Sequence, residues 1–272
     1  MAYPSVSAPY GYKPVNLIGG QVYAGSTRNL PVQYNYGTAI FYGDPVTLTN
    51  GYATLPSLPV NSTNTIVGYF AGCYYTNPTT KQRLYSQYYP GGVTAGDITA
   101  IVVDDPDVVL QVAATTAAGG TTIGSFSSIL VGSNVVGGTQ VGSAATGNSS
   151  LSAVPTATAG ATTAGFRVVE LVPDSQITYG GTYVSGTGTA NIVISGLAVG
   201  TFLPVGTDLF TVINGQLSFT GSTVATAVTV TSATAQTVVM TGTPTVSGTI
   251  ALVQTPEAFV KTNFGVHRYN IA

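Results

Sequence analysis

The sequence predicts an all-β chain: an antiparallel β-sandwich or barrel as main domain, a small inserted β module, and an extended N-terminal arm. Three observations carry this. Val, Ile, Thr, Tyr and Phe are abundant, which suits pleated, half-buried surfaces. No convincing helical stretch, with apolar residues sustained at i, i+3, i+4 and i+7, is found. Two alternating runs turn on Asn-Gly, the pair that supplies φ > 0 at both centres of a type I′ hairpin.

Taken in order, the chain opens with Pro4, Pro9 and Pro14 among Tyr3, Tyr10 and Tyr12. Proline at this density favours an extended arm without internal hydrogen bonds, assigned to residues 1–16. Two readings stand for it: an arm laying its tyrosines on a neighbouring subunit, or a frayed terminus. Val46 to Leu55 reads as a hairpin on Asn50-Gly51, and Leu209 to Thr220 as another on Asn214-Gly215. Ile66–Tyr75 and Ile98–Val103 read as core strands, and Phe166–Val172 as a further strand. Thr223–Thr231 and Gln236–Thr241 read as a pair joined by Ser232-Ala233-Thr234-Ala235. Thr255–Val260, opened by Pro256, is the best helical candidate, one or two turns long. The stretch Ala113–Gly165, rich in Gly, Ala, Thr and Ser, reads as loops with short strands or as an edge ordered against a partner.

Charge sets the domain boundaries. The chain has 272 residues, long enough for one or two domains of ~150 residues. Only 6% are charged, against ~25% in an average soluble domain. Nine of the sixteen charges precede Val108; none lies between Val108 and Phe166, and Asp208 is the only one between Ser175 and Pro256. The ends therefore resemble each other more than the middle. This places the main β domain over residues 17–184, with 254–272 returning to it, and the inserted module over 185–253.

The same figures exclude function classes. Nucleic-acid binding needs clustered Lys and Arg to displace counterions, and seven dispersed basic residues form no patch. Met1 to Pro14 has neither the basic nor the apolar region of a secretory leader, and no apolar run approaches the ~18 residues of a membrane helix. A surface with so little charge is poorly protected against association, which suits a chain that lives in an assembly.

Catalytic chemistry finds little to work with. His267 is the single histidine, no G-x-S-x-G elbow accompanies it, and it reads as a surface or interface residue. Asp104-Asp105-Pro106-Asp107 lacks the spacing of a calcium loop and reads as a turn capped by its own aspartates. Cys73 lies in a core strand with no nearby base. No phosphate loop is present. The expectation is no enzyme, no cofactor and no metal. The 17 tyrosines are the most suggestive residues, and Tyr69, Tyr74, Tyr75, Tyr85, Tyr88 and Tyr89 crowd one region. Tyrosine serves interfaces, sugar stacking and core packing alike.

Three stretches stand out together: Gly11-Tyr12-Lys13-Pro14-Val15-Asn16-Leu17-Ile18-Gly19-Gly20, Ala39-Ile40-Phe41-Tyr42-Gly43-Asp44-Pro45-Val46, and Ser86-Gln87-Tyr88-Tyr89-Pro90 leading to the Asp104–Asp107 cluster. With Phe264-Gly265-Val266-His267 near the end, this combination resembles head proteins of tailed bacteriophages. More narrowly, it resembles the capsid decoration (cement) proteins of short-tailed aquatic phages. The resemblance covers residues 11–107, 166–172 and 259–269, and leaves out the inserted module. It implies a structural virion protein on the outer surface of an icosahedral capsid. Such a protein clamps neighbouring major capsid proteins, often as a homotrimer, and brings no catalytic residues. Tyr3, Tyr10, Tyr12, Lys13 and Arg28 are the candidate partner-binding residues. Neither nucleic acid nor membrane is an expected partner. The alternative is a virion-surface adhesion or carbohydrate-binding protein, a head fibre or tail-associated, with a host-surface glycan as partner.

Overall fold

The computed structural model describes residues 6–60, 65–156, 164–183, 191–213, 215–242 and 248–263. It is nearly all β, with antiparallel sheets. In chain order, β1 (Lys13–Leu17) belongs to a first sheet. β2 (Arg28–Pro31), β3 (Pro45–Thr49), β4 (Tyr52–Thr54), β5 (Ile66–Thr76), β6 (Arg83–Ser86) and β7 (Thr99–Val103) form a second. β8 (Val108–Ala113), β9 (Asn134–Gly137), β10 (Ala153–Val154) and β11 (Phe166–Leu171) return to the first. β12 (Ile177–Tyr183), β13 (Asn191–Ser195), a short β14 (Phe202–Leu203), β15 (Asp208–Ile213), β16 (Gln216–Thr223), a short β17 (Val228–Thr229), β18 (Gln236–Val239) and β19 (Gly248–Gln254) build the module. β20 (Glu257–Thr262) closes the first sheet.

The first sheet runs β1-β8-β20-β11-β9-β10, so strands distant in sequence lie side by side. The second runs β2-β7-β5-β3-β4, with β6 on the far half of β5. β5 is the hub: Ile66 and Tyr69 enter the core shared with the first sheet, while Val67, Phe70 and Cys73 enter a second core on the opposite face. Burial on both faces explains why Ile66–Tyr75 reads as a nearly continuous apolar run. Gly68 is required there, because a Cβ would lie 2.1 Å from the Val103 carbonyl oxygen. The hairpin on Asn50-Gly51 forms as its sequence dictates, with φ of 52° and 84° and Thr49 opposite Tyr52.

Several expectations change. The arm is shorter than 1–16: Lys13–Leu17 is an edge strand on β8, and Pro14 is tolerated because an edge strand leaves one side unpaired. Thr255–Val260 contains no helix. Glu257, Phe259 and Lys261 alternate with the core residues Ala258 and Val260, Glu257 and Lys261 being themselves buried, and the strand fills the slot between β8 and β11. The third sheet starts at Ile177 rather than 185, since β12 pairs with β19 from Ile177–Gln254 to Tyr183–Gly248. Gly180 and Gly181 interrupt its apolar pattern and conceal it. Thr223–Thr231 does not form a ladder with Gln236–Thr241. β18 pairs with β13, β17 pairs with β14, and one bridge, Val224–Met240, joins the two stretches. The described part of Ala113–Gly165 is short strands and loops, tied together by side-chain hydrogen bonds. Gln140 donates to Gly120 O and Ser152 Oγ at 2.6 and 2.8 Å.

Candidate docking surface

Residues directly opposite in an antiparallel ladder share a face. In the first sheet Lys13 lies opposite Gln111, Gln111 opposite Phe259, and Phe259 opposite Glu170. A neighbouring row sets Arg167 opposite both Lys261 and Asn134. These rows form the outer face; Leu110, Val112, Phe166, Val168, Ala258 and Val260 fill the core behind it. Lys261 Nζ lies 2.6 Å from Asp107 Oδ1, and the Tyr10 hydroxyl donates to Glu257. Lys13 Nζ stands 4.1 Å over the centre of the Tyr10 ring. Six of the sixteen charged residues therefore gather on one sheet face: Lys13, Asp107, Arg167, Glu170, Glu257 and Lys261. Burial, reinforced by Glu257, pushes the Tyr10 phenol well above its ordinary range, so it remains a neutral donor.

The acidic cluster is a turn. Asp105 Oδ1 accepts the Asp107 N–H at 2.8 Å. Its neighbours reach in different directions: Asp104 pairs with Arg28 at 2.9 Å, and Asp107 with Lys261. Arg28 is partly exposed, and a pair of this kind contributes little stability, about 0–1 kcal/mol. Among the described residues no three His, Cys, Asp or Glu side chains come together as metal ligands.

Of the residues expected to bind a partner, Tyr10 and Lys13 meet on the first sheet, and Arg28 stands apart on the second. Tyr12 belongs to the core, contrary to expectation. It is fully buried, stacks on Phe166 at 4.5 Å, and donates its hydroxyl to Ser152 O at 2.9 Å. The large apolar ring at the start of β1 is worth more inside than out. Tyr3 and His267 lie outside the described residues. Arg167, Glu170, Glu257 and Lys261 were not anticipated. The alternation Glu257-Phe259-Lys261 carried the signal, and the helical reading of Pro256 hid it.

The crowded tyrosines divide. Tyr69, Tyr75 and Tyr89 are buried, whereas Tyr85 on the edge strand β6 is 67% exposed. The Arg83 guanidinium lies 4.2 Å from the Tyr74 ring and 5.5 Å from that of Tyr85. Cys73 is buried; desolvation pushes its thiol up to about 12, which keeps it protonated and unreactive at neutral pH.

The three stretches that carry the resemblance meet in space. Tyr12 N–H donates to Gly43 O at 3.1 Å, and Ile40 and Tyr89 exchange backbone hydrogen bonds. Tyr42 bridges to Asn148, whose side chain accepts from Gln87 at 2.7 Å. Asp44, buried beneath them, accepts the Phe41 N–H at 2.8 Å. Burial raises its carboxyl to about 6.

No protein-family model, curated protein or solved structure matches this chain.

Proposed function

We propose that this chain is a structural protein of a tailed-phage head, seated on the outer surface of the icosahedral shell and clamping neighbouring major capsid proteins. The observation that supports the reading is the packing against one another of Gly11–Gly20, Ala39–Val46 and Ser86–Pro90, the stretches that carry the resemblance. The outer face offers paired charges and half-buried apolar side chains, which suits many modest contacts. Repeated over copies, and in a homotrimer over three faces at once, such contacts hold by avidity. The N-terminal segment before Tyr10 is the element that reaches a neighbour.

A second reading, adhesion to a host-surface glycan, draws on Tyr85 and Tyr34, exposed by 67% and 60%. An exposed tyrosine ring can stack on a sugar. Copy number separates the two. The chain is quantified by mass spectrometry in purified virions against the major capsid protein. Hundreds of copies per particle support the shell reading. A handful transfers the function to adhesion, and none overturns both.

A further inference from the structure

We propose that the cavity beside Arg167 is a binding site for an aliphatic carboxylate. The cavity has a volume of about 350 Å3 and opens on the outer face of the first sheet. Ile18, Val131, Val169, Arg167 and Lys261 are among the residues that line it. Ile18 and Val131 are 48% and 47% exposed, so the apolar wall faces solvent rather than the core.

The register makes the charge arrangement unusual. Arg167 and Lys261 stand directly opposite each other on β11 and β20. Like charges in that position are destabilising, so a sheet selected for stability alone would avoid them. Asp107 neutralises Lys261 at 2.6 Å. Among the described residues Arg167 forms no ion pair and remains exposed. Glu170 lies past the bulge that follows Val168, opposite Phe259, in an adjoining cavity. Among the described residues Asp107 is the carboxylate paired at this spot, and the exposed Arg167 guanidinium sits at the edge of an apolar recess. A guanidinium presents a planar fork of donors that fits a carboxylate in bidentate fashion. The ligand chemistry follows: a carboxylate for Arg167, borne on a short aliphatic stem for Ile18, Val131 and Val169. A small organic acid and a polypeptide C-terminus ending in an aliphatic residue both have it.

The test is titration of the full chain with hexanoate, hexanol and acetyl-Val-Leu, followed by amide chemical shifts. Hexanoate is expected to shift the Val131, Gly132, Val168 and Val169 amides saturably, and hexanol to bind about tenfold more weakly. Arg167→Gln is expected to weaken hexanoate about tenfold and leave hexanol unchanged. Ile18→Ser is expected to weaken both. Unchanged shifts elsewhere establish that each variant is folded. If acetyl-Val-Leu binds more tightly than hexanoate, the site takes a polypeptide terminus; if less tightly, a small acid. Absence of saturable shifts, equal binding of hexanol and hexanoate, or indifference to Arg167→Gln overturns the proposal.

Discussion

The body and the module are both antiparallel β structures, but their cores are made differently. The body buries large aromatics, Tyr12, Tyr69, Phe126 and Phe166 in one core and Phe70 and Tyr89 in the other. Its tyrosine hydroxyls are tied to distant segments. Tyr12 donates to Ser152 O, Tyr69 is bonded to Thr262, and Tyr89 donates to Tyr36 O. The module core is mostly aliphatic: Ile192, Ile194, Leu203, Leu209, Val238, Met240, Ile250 and Leu252. A buried hydroxyl must find its partner, so the body is fixed by direction as well as by volume. Aliphatic packing tolerates exchange as long as volume is kept. The body therefore behaves as the specific platform, and the module as an addition fastened to it. Asp208 is one fastening: buried at the start of β15, it accepts both the N–H and the hydroxyl of Ser128 at 2.8 and 2.6 Å.

The sharpest way to separate the two regions is to damage one core at a time. Phe166→Ala removes the ring stacked on Tyr12 and is expected to cost about 3–5 kcal/mol in denaturant unfolding. Hydrogen exchange should show protection lost in β8, β11 and β20 while β15 and β19 keep theirs. Equal loss in both would merge the regions into one cooperative unit. Leu209→Ala is the mirror experiment, expected to cost about 2–5 kcal/mol, with protection lost in the third sheet alone.

Asp44 distinguishes the regions by pH. Its carboxyl rises from 3.8 to about 6 in the folded body because burial disfavours the charged form. The folded state then holds the proton more tightly than the unfolded chain. The resulting stabilisation is full below about pH 4 and is lost as pH rises through 6. Between pH 4 and 7 the native chain should lose on the order of 3 kcal/mol relative to Asp44→Asn. Parallel stability profiles for the two proteins would contradict this. The smallest expected effect tests the fastening. Asp208→Ala leaves the Ser128 N–H without its acceptor and should cost about 1–3 kcal/mol. Exchange at the Ser128 amide should accelerate, with the core of the module unchanged. An unaltered Ser128 amide would show that other contacts hold the two regions together.

Local chemistry was readable in the sequence wherever it decided the outcome. Asn50-Gly51 can take positive φ at both positions, and the hairpin follows. The β5 run is apolar on both faces, and it is buried on both. Partner choice between distant strands was not readable in this way. Pro256 suggested a helix start, yet Glu257–Thr262 completes a ladder between β8 and β11. Gly180-Gly181 broke the pattern of β12, and its partner β19 lies about 70 residues further on. The candidate surface shows the same division. Tyr10 and Lys13 stood out because they are neighbours in the sequence. Arg167, Glu170, Glu257 and Lys261 meet them only through the register of three strands. Tyr12 could not be told from Tyr10 by composition; its burial is a tertiary fact.

On the proposed reading, this chain sits on a capsid through the outer face of its first sheet. The direct measurement is a cryo-EM map of purified heads at a resolution that places its strands. The expected result is density outside the shell at lattice-related positions, with Lys13, Phe259 and Glu170 turned toward the major capsid protein. Density confined to the tail vertex, or a chain that meets the shell only through its module, would contradict it.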